Sequence, residues 1–261
     1  MKVDAILPAA GRLKGPLAER METEVKALFT VGDRTMLGRT IESARRCGQV
    51  GRIVVIGPDE IASHPDTAGA DRVLPEGASG PENILSGLEF LLAAGSPEKV
   101  LILTTDLPFL SPEMIASFLE RCPPGADICM PAIDRASFDR RFPEAPREYV
   151  RLRDGQWTLG CAFLVDARAL ERSRARLTRA FAARKNQLAM ARLLGPRFIC
   201  RFLLGRLGID DVVARCEEIL QCPCAAVREC APELAFDIDD EQDYAYAALH
   251  ALADRACSEG R

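Results

Sequence analysis

The sequence predicts an α/β fold, a three-layer αβα sandwich built around a mostly parallel sheet. Apolar runs of strand length alternate with segments of helical period through the first half of the chain. The runs are near-continuous, as in Ile53-Val54-Val55-Ile56, which suits strands covered on both faces. Alternation of this kind closes into right-handed βαβ units, whose ligands bind beyond the carboxyl ends of the strands.

In chain order, strands are expected at 3–7, 52–56, 71–74, 99–104 and 126–131, and helices at 35–47, 81–94 and 111–121. Thr35 and Ser111 stand at N-cap positions, and Pro112 occupies the favoured first helical position. The order changes after residue 131. Phe142–Pro146 reads as a loop, and Asp154-Gly155 is a hairpin turn between strands at 148–153 and 156–165. Helical pattern fills most of 167–220. Strand-like Ala225–Val227 and Phe236–Asp239 follow, then a last helix over 241–256 with Asp240 as its N-cap. The whole chain, 1–261, reads as a single domain, with 132–220 as an insertion over the sheet edge.

Composition narrows the function. The chain has 261 residues, 48% hydrophobic, with a formal net charge of −4. That balance argues against general nucleic-acid binding, which needs a basic surface, and leaves small anions open as ligands. No apolar run reaches the length of a membrane span, and the first residues lack a secretory leader pattern. A cytoplasmic protein is therefore expected, with its ten cysteines reduced. Cys216, Cys222, Cys224 and Cys230 cluster without a C-x2-C knuckle and read as small apolar residues rather than as metal ligands.

Two strand ends carry the chemistry. The strand 3–7 runs into Pro8-Ala9-Ala10-Gly11-Arg12, with Lys26 beyond it. The strand 99–104 ends in Thr105-Asp106-Leu107-Pro108. A small-residue loop lets backbone N–H groups approach phosphates, Arg12 and Lys26 supply cations, and Asp106 is a carboxylate suited to Mg²⁺. Asp237 and Asp239 alternate with Phe236 and Ile238, so in extended chain the two carboxylates face one way and the apolar pair the other. His64 and His250, the only histidines, have no convincing base context.

Leu7–Arg12, Lys26, Thr105–Pro108 and Asp237–Asp239 together resemble the nucleotidyltransferases of the molybdenum-cofactor guanylyltransferase, or MobA-like, type, which share a Rossmann-like (GT-A type) fold with sugar-phosphate and methylerythritol-phosphate cytidylyltransferases. The resemblance covers most of residues 1–120 and the segment near 237. Tyr149–Gly155, Gly160–Phe163 and Arg184-Lys185 resemble an uncharacterised subgroup. The resemblance implies transfer of a nucleoside monophosphate from a triphosphate, with GTP or CTP favoured, to a small phosphorylated acceptor. It implies Mg²⁺, or Mn²⁺ in its place, on Asp106 with Asp237 or Asp239, and Lys26, Arg12 and Asp106 as the catalytic set. Leu7, Ala9, Ala10, Gly11, Gly80 and Asn83 would meet the nucleotide. Arg151, Gly160, Arg184 and Lys185 fall on the acceptor side.

The chain departs from the family pattern. It has one loop glycine before Arg12, and Val25 rather than proline before Lys26. Those departures keep open a degenerate member that binds nucleotide for regulation. A glycosyltransferase of GT-A type is the other alternative, weakened because Asp106 has no paired aspartate. Residues 167–185 carry seven basic side chains against one acid, Glu171, while Leu170, Leu177 and Phe181 share a helical face. That segment is either an ordinary amphipathic helix or an anion site. Oligomeric state is left open by the sequence.

Overall fold

The computed structural model describes residues 2–95, 97–183 and 186–259, with the backbone alone over 252–259. The first half alternates as the sequence indicates: β1 (Val3–Pro8), α1 (Pro16–Arg20), the small strands β2 (Thr30–Val31) and β3 (Arg34–Thr35), α2 (Met36–Arg46), β4 (Val50–Gly57), α3 (Asp59–Ala62), β5 (Arg72–Pro75), α4 (Gly80–Ala93), β6 (Lys99–Leu103), α5 (Pro112–Arg121) and β7 (Ile128–Asp134). There follow α6 (Arg135–Arg141), β8 (Val150–Leu152), β9 (Gly155–Leu159), β10 (Ala162–Asp166), α7 (Ala167–Arg172), α8 (Arg174–Ala183), α9 (Gln187–Leu194), α10 (Pro196–Leu203), α11 (Ile209–Leu220), β11 (Cys224–Val227) and α12 (Glu241–Glu259).

The main sheet runs β5-β4-β1-β6-β10-β7-β9-β8, with β11 also paired to β7. β5, β4, β1 and β6 are mutually parallel, and β10 is antiparallel to both β6 and β7. Successive residues of each central strand enter opposite layers. Ala5 and Leu7 of β1 join a core with α2, α5 and the aromatic group Phe138, Phe142 and Phe236. Ile6, opposite Val54 and Ile102, joins a second core under α4 and α7. Two buried faces on one sheet are the three layers that the near-continuous apolar strands call for.

Helix ends obey the local chemistry. The Thr35 hydroxyl accepts from Gly38 N, 2.9 Å, at the start of α2. Ser111 precedes Pro112, but its hydroxyl is turned to Glu113 Oε2, 2.7 Å, rather than to a helix amide. Gly87 lets α4 lie close on β1 and β4: a Cβ there would stand 2.9 Å from Ile6 Cγ2 and 3.0 Å from Ile56 Cδ1. Gly87→Val is expected to cost about 1–3 kcal/mol by overpacking. Thermal unfolding should report it as a fall of roughly 2–4 °C per kcal/mol. An unchanged melting temperature would mean that α4 can ride outward freely.

Two expectations are corrected. The stretch 156–165 is not one strand. It breaks at Gly160-Cys161, where Gly160 N donates to Pro131 O at 2.9 Å and Cys161 N to Leu234 O at 2.7 Å. The chain thereby passes from the outer β9 to β10, which lies inside the sheet between β6 and β7. The segment 132–220 thus contributes a central strand as well as peripheral helices. Phe236–Asp239 is extended but joins no strand; Ile238 N is held by Asp106 O at 3.1 Å. Phe236 and Ile238 are buried as the alternation requires. No helix among the described residues is long and apolar enough to cross a membrane.

Candidate active site

The site forms where β1 and β6 end side by side. After β1, Ala9 N donates to Ile56 O at 2.7 Å. The chain then makes a loop pinched at its base: Arg12 bridges to Val25, Leu13 N donates to Glu24 O at 2.9 Å, and Lys26 N donates to Gly11 O at 2.9 Å. This pairing lays Gly11 along the Lys26 side chain, where a Cβ on Gly11 would stand 3.6 Å from Lys26 Cδ. Lys26 needs neither a second loop glycine nor a preceding proline to be brought there.

Lys26 Nζ donates to Asp106 Oδ2 at 2.9 Å and to Asp239 Oδ1 at 2.7 Å, with the lysine side chain only 11% exposed. Burial by itself lowers an ammonium's pKa, but the charges of Asp106 and Asp239 outweigh it and hold Lys26 above its ordinary value. Asp106 Oδ1 is buried without a hydrogen-bond partner. Asp237 is held from the other side by Arg147, whose Nη1 donates to Oδ1 at 2.6 Å. Burial and then the nearby Asp106 raise the Asp237 carboxyl, against the pull of Arg147. Asp239 is lowered, because the Lys26 charge and hydrogen bond overcome the effect of burial. Each of the three aspartates offers an oxygen within 4.8 Å of the others. Three carboxylates against two cations leave the cluster with an excess negative charge when all are ionised. A buried orphan oxygen in such a cluster fits a hard divalent cation with oxygen ligands.

Arg147 is the site residue that the sequence did not reveal. It follows the Pro146 loop and pairs with a residue 90 positions away, so no local period marks it. Its Nε also donates to Thr158 Oγ1 at 3.0 Å, which fixes the guanidinium plane. Arg147→Met is expected to raise the Mg²⁺ concentration for half-maximal nucleotide stabilisation about ten- to a hundredfold. Arg147→Lys should recover part of the loss. An unchanged Mg²⁺ requirement would mean that Asp237 is positioned without it.

The remaining expected residues are distributed unevenly. A cavity of about 630 Å³ is lined at one end by Gly11, Lys26, Asp106, Asp237 and Asp239, passes Gly80 and Pro81, and continues over an apolar floor. Leu7 and Ala9 are wholly buried. Ala10 offers its carbonyl to Arg12 at 3.1 Å. Arg12 is turned to Glu76 at the end of β5 in a two-pronged pair of 2.8 and 2.5 Å. It thus pins the loop and stands apart from the Lys26 cluster. Asn83 is buried and its Oδ1 accepts from Gly77 N at 2.6 Å, shaping the loop that carries Gly80. Ser79 is the N-cap residue of α4. Arg151 is exposed on β8 and is not among the residues lining the cavity. Gly160 permits a close approach, but by the protein's own backbone: a Cβ there would stand 2.9 Å from Leu234 O. Arg184 and Lys185 lie outside the described residues.

Among the described residues the aspartate trio is the sole group of three or more metal-ligating side chains that converges. The cysteines do not compete with it. Cys222 and Cys224 are neighbours, while Cys230 lies with Cys122 and Cys129, and burial pushes the Cys230 thiol up to about 11. His64 Nδ1 accepts from Asp66 N at 3.2 Å and His250 stacks on Tyr246, both away from the cavity.

Known proteins agree with this architecture. A protein of Thermus thermophilus described as a hypothetical transferase superposes with a TM-score of 0.80 at 30% identity, over 94% of this chain and 100% of that one. A 2-C-methyl-D-erythritol 4-phosphate cytidylyltransferase, also of Thermus thermophilus, shares the fold, with a TM-score of 0.57 at 22% identity over 97% of this chain and 100% of that one. A probable molybdenum cofactor guanylyltransferase of Pyrococcus horikoshii is 27% identical over 170 residues, 62% of this chain and 81% of that protein. The model of the MobA-like NTP transferase domain matches residues 5–255, so the chain belongs to that family of nucleotidyltransferases and is an enzyme.

Proposed function

We propose that the chain transfers a nucleoside monophosphate from a nucleoside triphosphate to a small phosphorylated acceptor in a Mg²⁺-dependent reaction. An acceptor phosphate oxygen forms a bond to the α-phosphorus, the bond from that phosphorus to the bridging oxygen breaks, and pyrophosphate leaves with its electron pair. The observation that supports this reading most is the convergence of Asp106, Asp237 and Asp239 within 4.8 Å, with Lys26 bonded to two of them at the strand ends.

The acceptor is already an anion, so no strong base is required, in keeping with a cavity that neither histidine lines. Asp106, Asp237 and Asp239 would hold Mg²⁺, or Mn²⁺ in its place, which supplies charge neutralisation to the triphosphate. Lys26 brings a fixed cation to the α-phosphate, and the Gly11 turn brings the backbone close to the phosphates. Arg12, if it serves the phosphates, does so by exchanging Glu76 for them. GTP and CTP are the donors to try first, GTP for the likeness to a described guanylyltransferase. The same likeness puts the molybdenum cofactor among the acceptors to try.

Thermal shift with GTP, CTP, ATP and UTP, each with and without Mg²⁺, tests the reading. A ligand at a hundred times its dissociation constant stabilises by about 2.7 kcal/mol. At roughly 2–4 °C per kcal/mol that is a rise of several degrees. One nucleotide acting only with Mg²⁺ supports the proposal, and no shift with any triphosphate overturns it.

A further inference from the structure

We propose that the acceptor carries its phosphate on an apolar body, as a phosphomonoester of an alkyl, prenyl or aromatic alcohol rather than of a sugar. This rests on the nucleotidyl-transfer reading and specifies its second substrate.

The cavity is one continuous space whose charged end is at Lys26 and Asp106. Gly80 and Pro81 line it at the amino end of α4, where the N–H groups of Gly77, Ala78, Glu82 and Asn83 are held within the loop and first turn, and the Phe181 ring closes on Gly80, 2.8 Å from where a Cβ would stand. An apolar arm of the same space lies over β6, β7 and β10. Ile102, Met130 and Phe163 form its floor, and Leu177 and Phe181 of α8 its roof. Backbone groups of these strands are committed to the sheet, with Phe163 in register with Ile102 and Val165 with Ile128. The apolar arm therefore offers a ligand mainly side chains, and among the described residues these are hydrocarbon, thioether and aromatic.

Met130, Phe163, Leu177 and Phe181 are only partly buried, so the protein leaves an apolar surface open beside its most highly charged cluster. Such a surface in a cleft marks a ligand. Apart from the charged cluster, the polar side chains lining the cavity among the described residues are Thr104, Thr105 and Cys161, and Thr105 Oγ1 already donates to Pro8 O. A sugar phosphate would bring several hydroxyls here, and each one left unpaired weakens binding by roughly ten- to a hundredfold. The basic stretch of α7 and α8 does not change this balance. Arg172, Arg174, Arg176 and Arg179 are exposed, and Arg174 pairs with Glu89 of α4, while Leu170 of α7 and Leu177 and Phe181 of α8 line the cavity. Charge at one end and hydrocarbon along the other complement an amphiphilic phosphate, its head at Lys26 and its body under α8.

The test is binding of butyl, hexyl, octyl and decyl phosphate, kept below their micellar concentrations, against glycerol phosphate and glucose 1-phosphate. Wild-type protein is used with Mg²⁺ and the triphosphate that stabilises it. Affinity is expected to rise about two- to fourfold per methylene until the arm is filled, with the polar phosphates at least tenfold weaker than octyl phosphate. Met130→Gln and Leu177→Gln should each flatten the chain-length dependence, and a retained triphosphate shift certifies that each variant is folded. Affinity independent of chain length, or tighter binding of the sugar phosphate, overturns the inference while an intact triphosphate shift leaves nucleotidyl transfer standing. Chain-length dependence without any triphosphate shift overturns nucleotidyl transfer and, with it, the acceptor role proposed for this arm.

Discussion

Asp106→Ala is expected to remove the Mg²⁺-dependent nucleotide stabilisation and to lower turnover by at least about 10²–10³, the scale of losing a charge-stabilising group at a reacting phosphate. The reason is geometric. Asp106 ends a central strand, accepts from Lys26 with one oxygen, and keeps the other buried and unpaired toward Asp237 and Asp239. No neighbour can supply that oxygen in its place. The stability of the protein without ligand should move the other way, or not at all. Asp106 is one of the charges that raise Asp237, so its removal relieves repulsion while Lys26 keeps Asp239. Asp106→Asn, nearly isosteric, separates charge from shape and should match alanine in activity. Melting curves with and without Mg²⁺ and triphosphate, beside a pyrophosphate-release assay, read both effects. A full Mg²⁺-dependent shift in both variants would remove Asp106 from the metal site.

Lys26→Ala should cost about 10²–10³ in rate, and a loss below tenfold would reject its role at the α-phosphate. It should also weaken the fold. Deleting one partner of a buried ionic cluster leaves its carboxylates without compensation, at a cost of about 3–5 kcal/mol. With Lys26 gone, Arg147, bonded to Asp237, is the one cation paired with the trio among the described residues. Mg²⁺ alone should then raise the melting temperature more in Lys26→Ala than in wild type, because the metal takes over the neutralisation that the ammonium provides. Lys26→Arg should not restore the rate, since a planar guanidinium cannot replace a compact ammonium between two carboxylates. Equal Mg²⁺ responses in wild type and Lys26→Ala would show that the ammonium and the metal answer to different groups.

Much of the fold could be read in the sequence because period-2 and period-3.6 patterns are local. Val3–Leu7, Ile53–Ile56 and Val100–Leu103 announce buried parallel strands, and the Phe236/Ile238 alternation forces Asp237 and Asp239 to one side. Strand order carries no such mark. Nothing in Ala162–Asp166 says that it enters the sheet between β6 and β7 instead of lengthening a hairpin at the edge. Long-range pairs were equally silent. Arg147 finds Asp237, and Arg12 finds Glu76, 64 residues on, through the packing of loops that no spacing rule connects. Leu170, Leu177 and Phe181 were legible as an apolar set, but not on one helical face: the segment breaks at Ser173 into α7 and α8, and that the set lines a cavity followed only from where the two helices are laid.

The extended tether at Ile238, held by the carbonyl of Asp106, has a consequence for synthesis. Gly11, Lys26 and Asp106 leave the ribosome long before their partners do. At about 5–20 residues per second, Asp239 is added roughly 7–27 s after Asp106. Through that interval the β1–β6 layer can pair, but its phosphate end lacks two of three carboxylates, and Lys26 has a single partner. A nascent chain of that length has not assembled the three-aspartate cluster, and the same holds for any product truncated before Asp237. The three-aspartate cluster closes in one step, when the 237–239 segment is added.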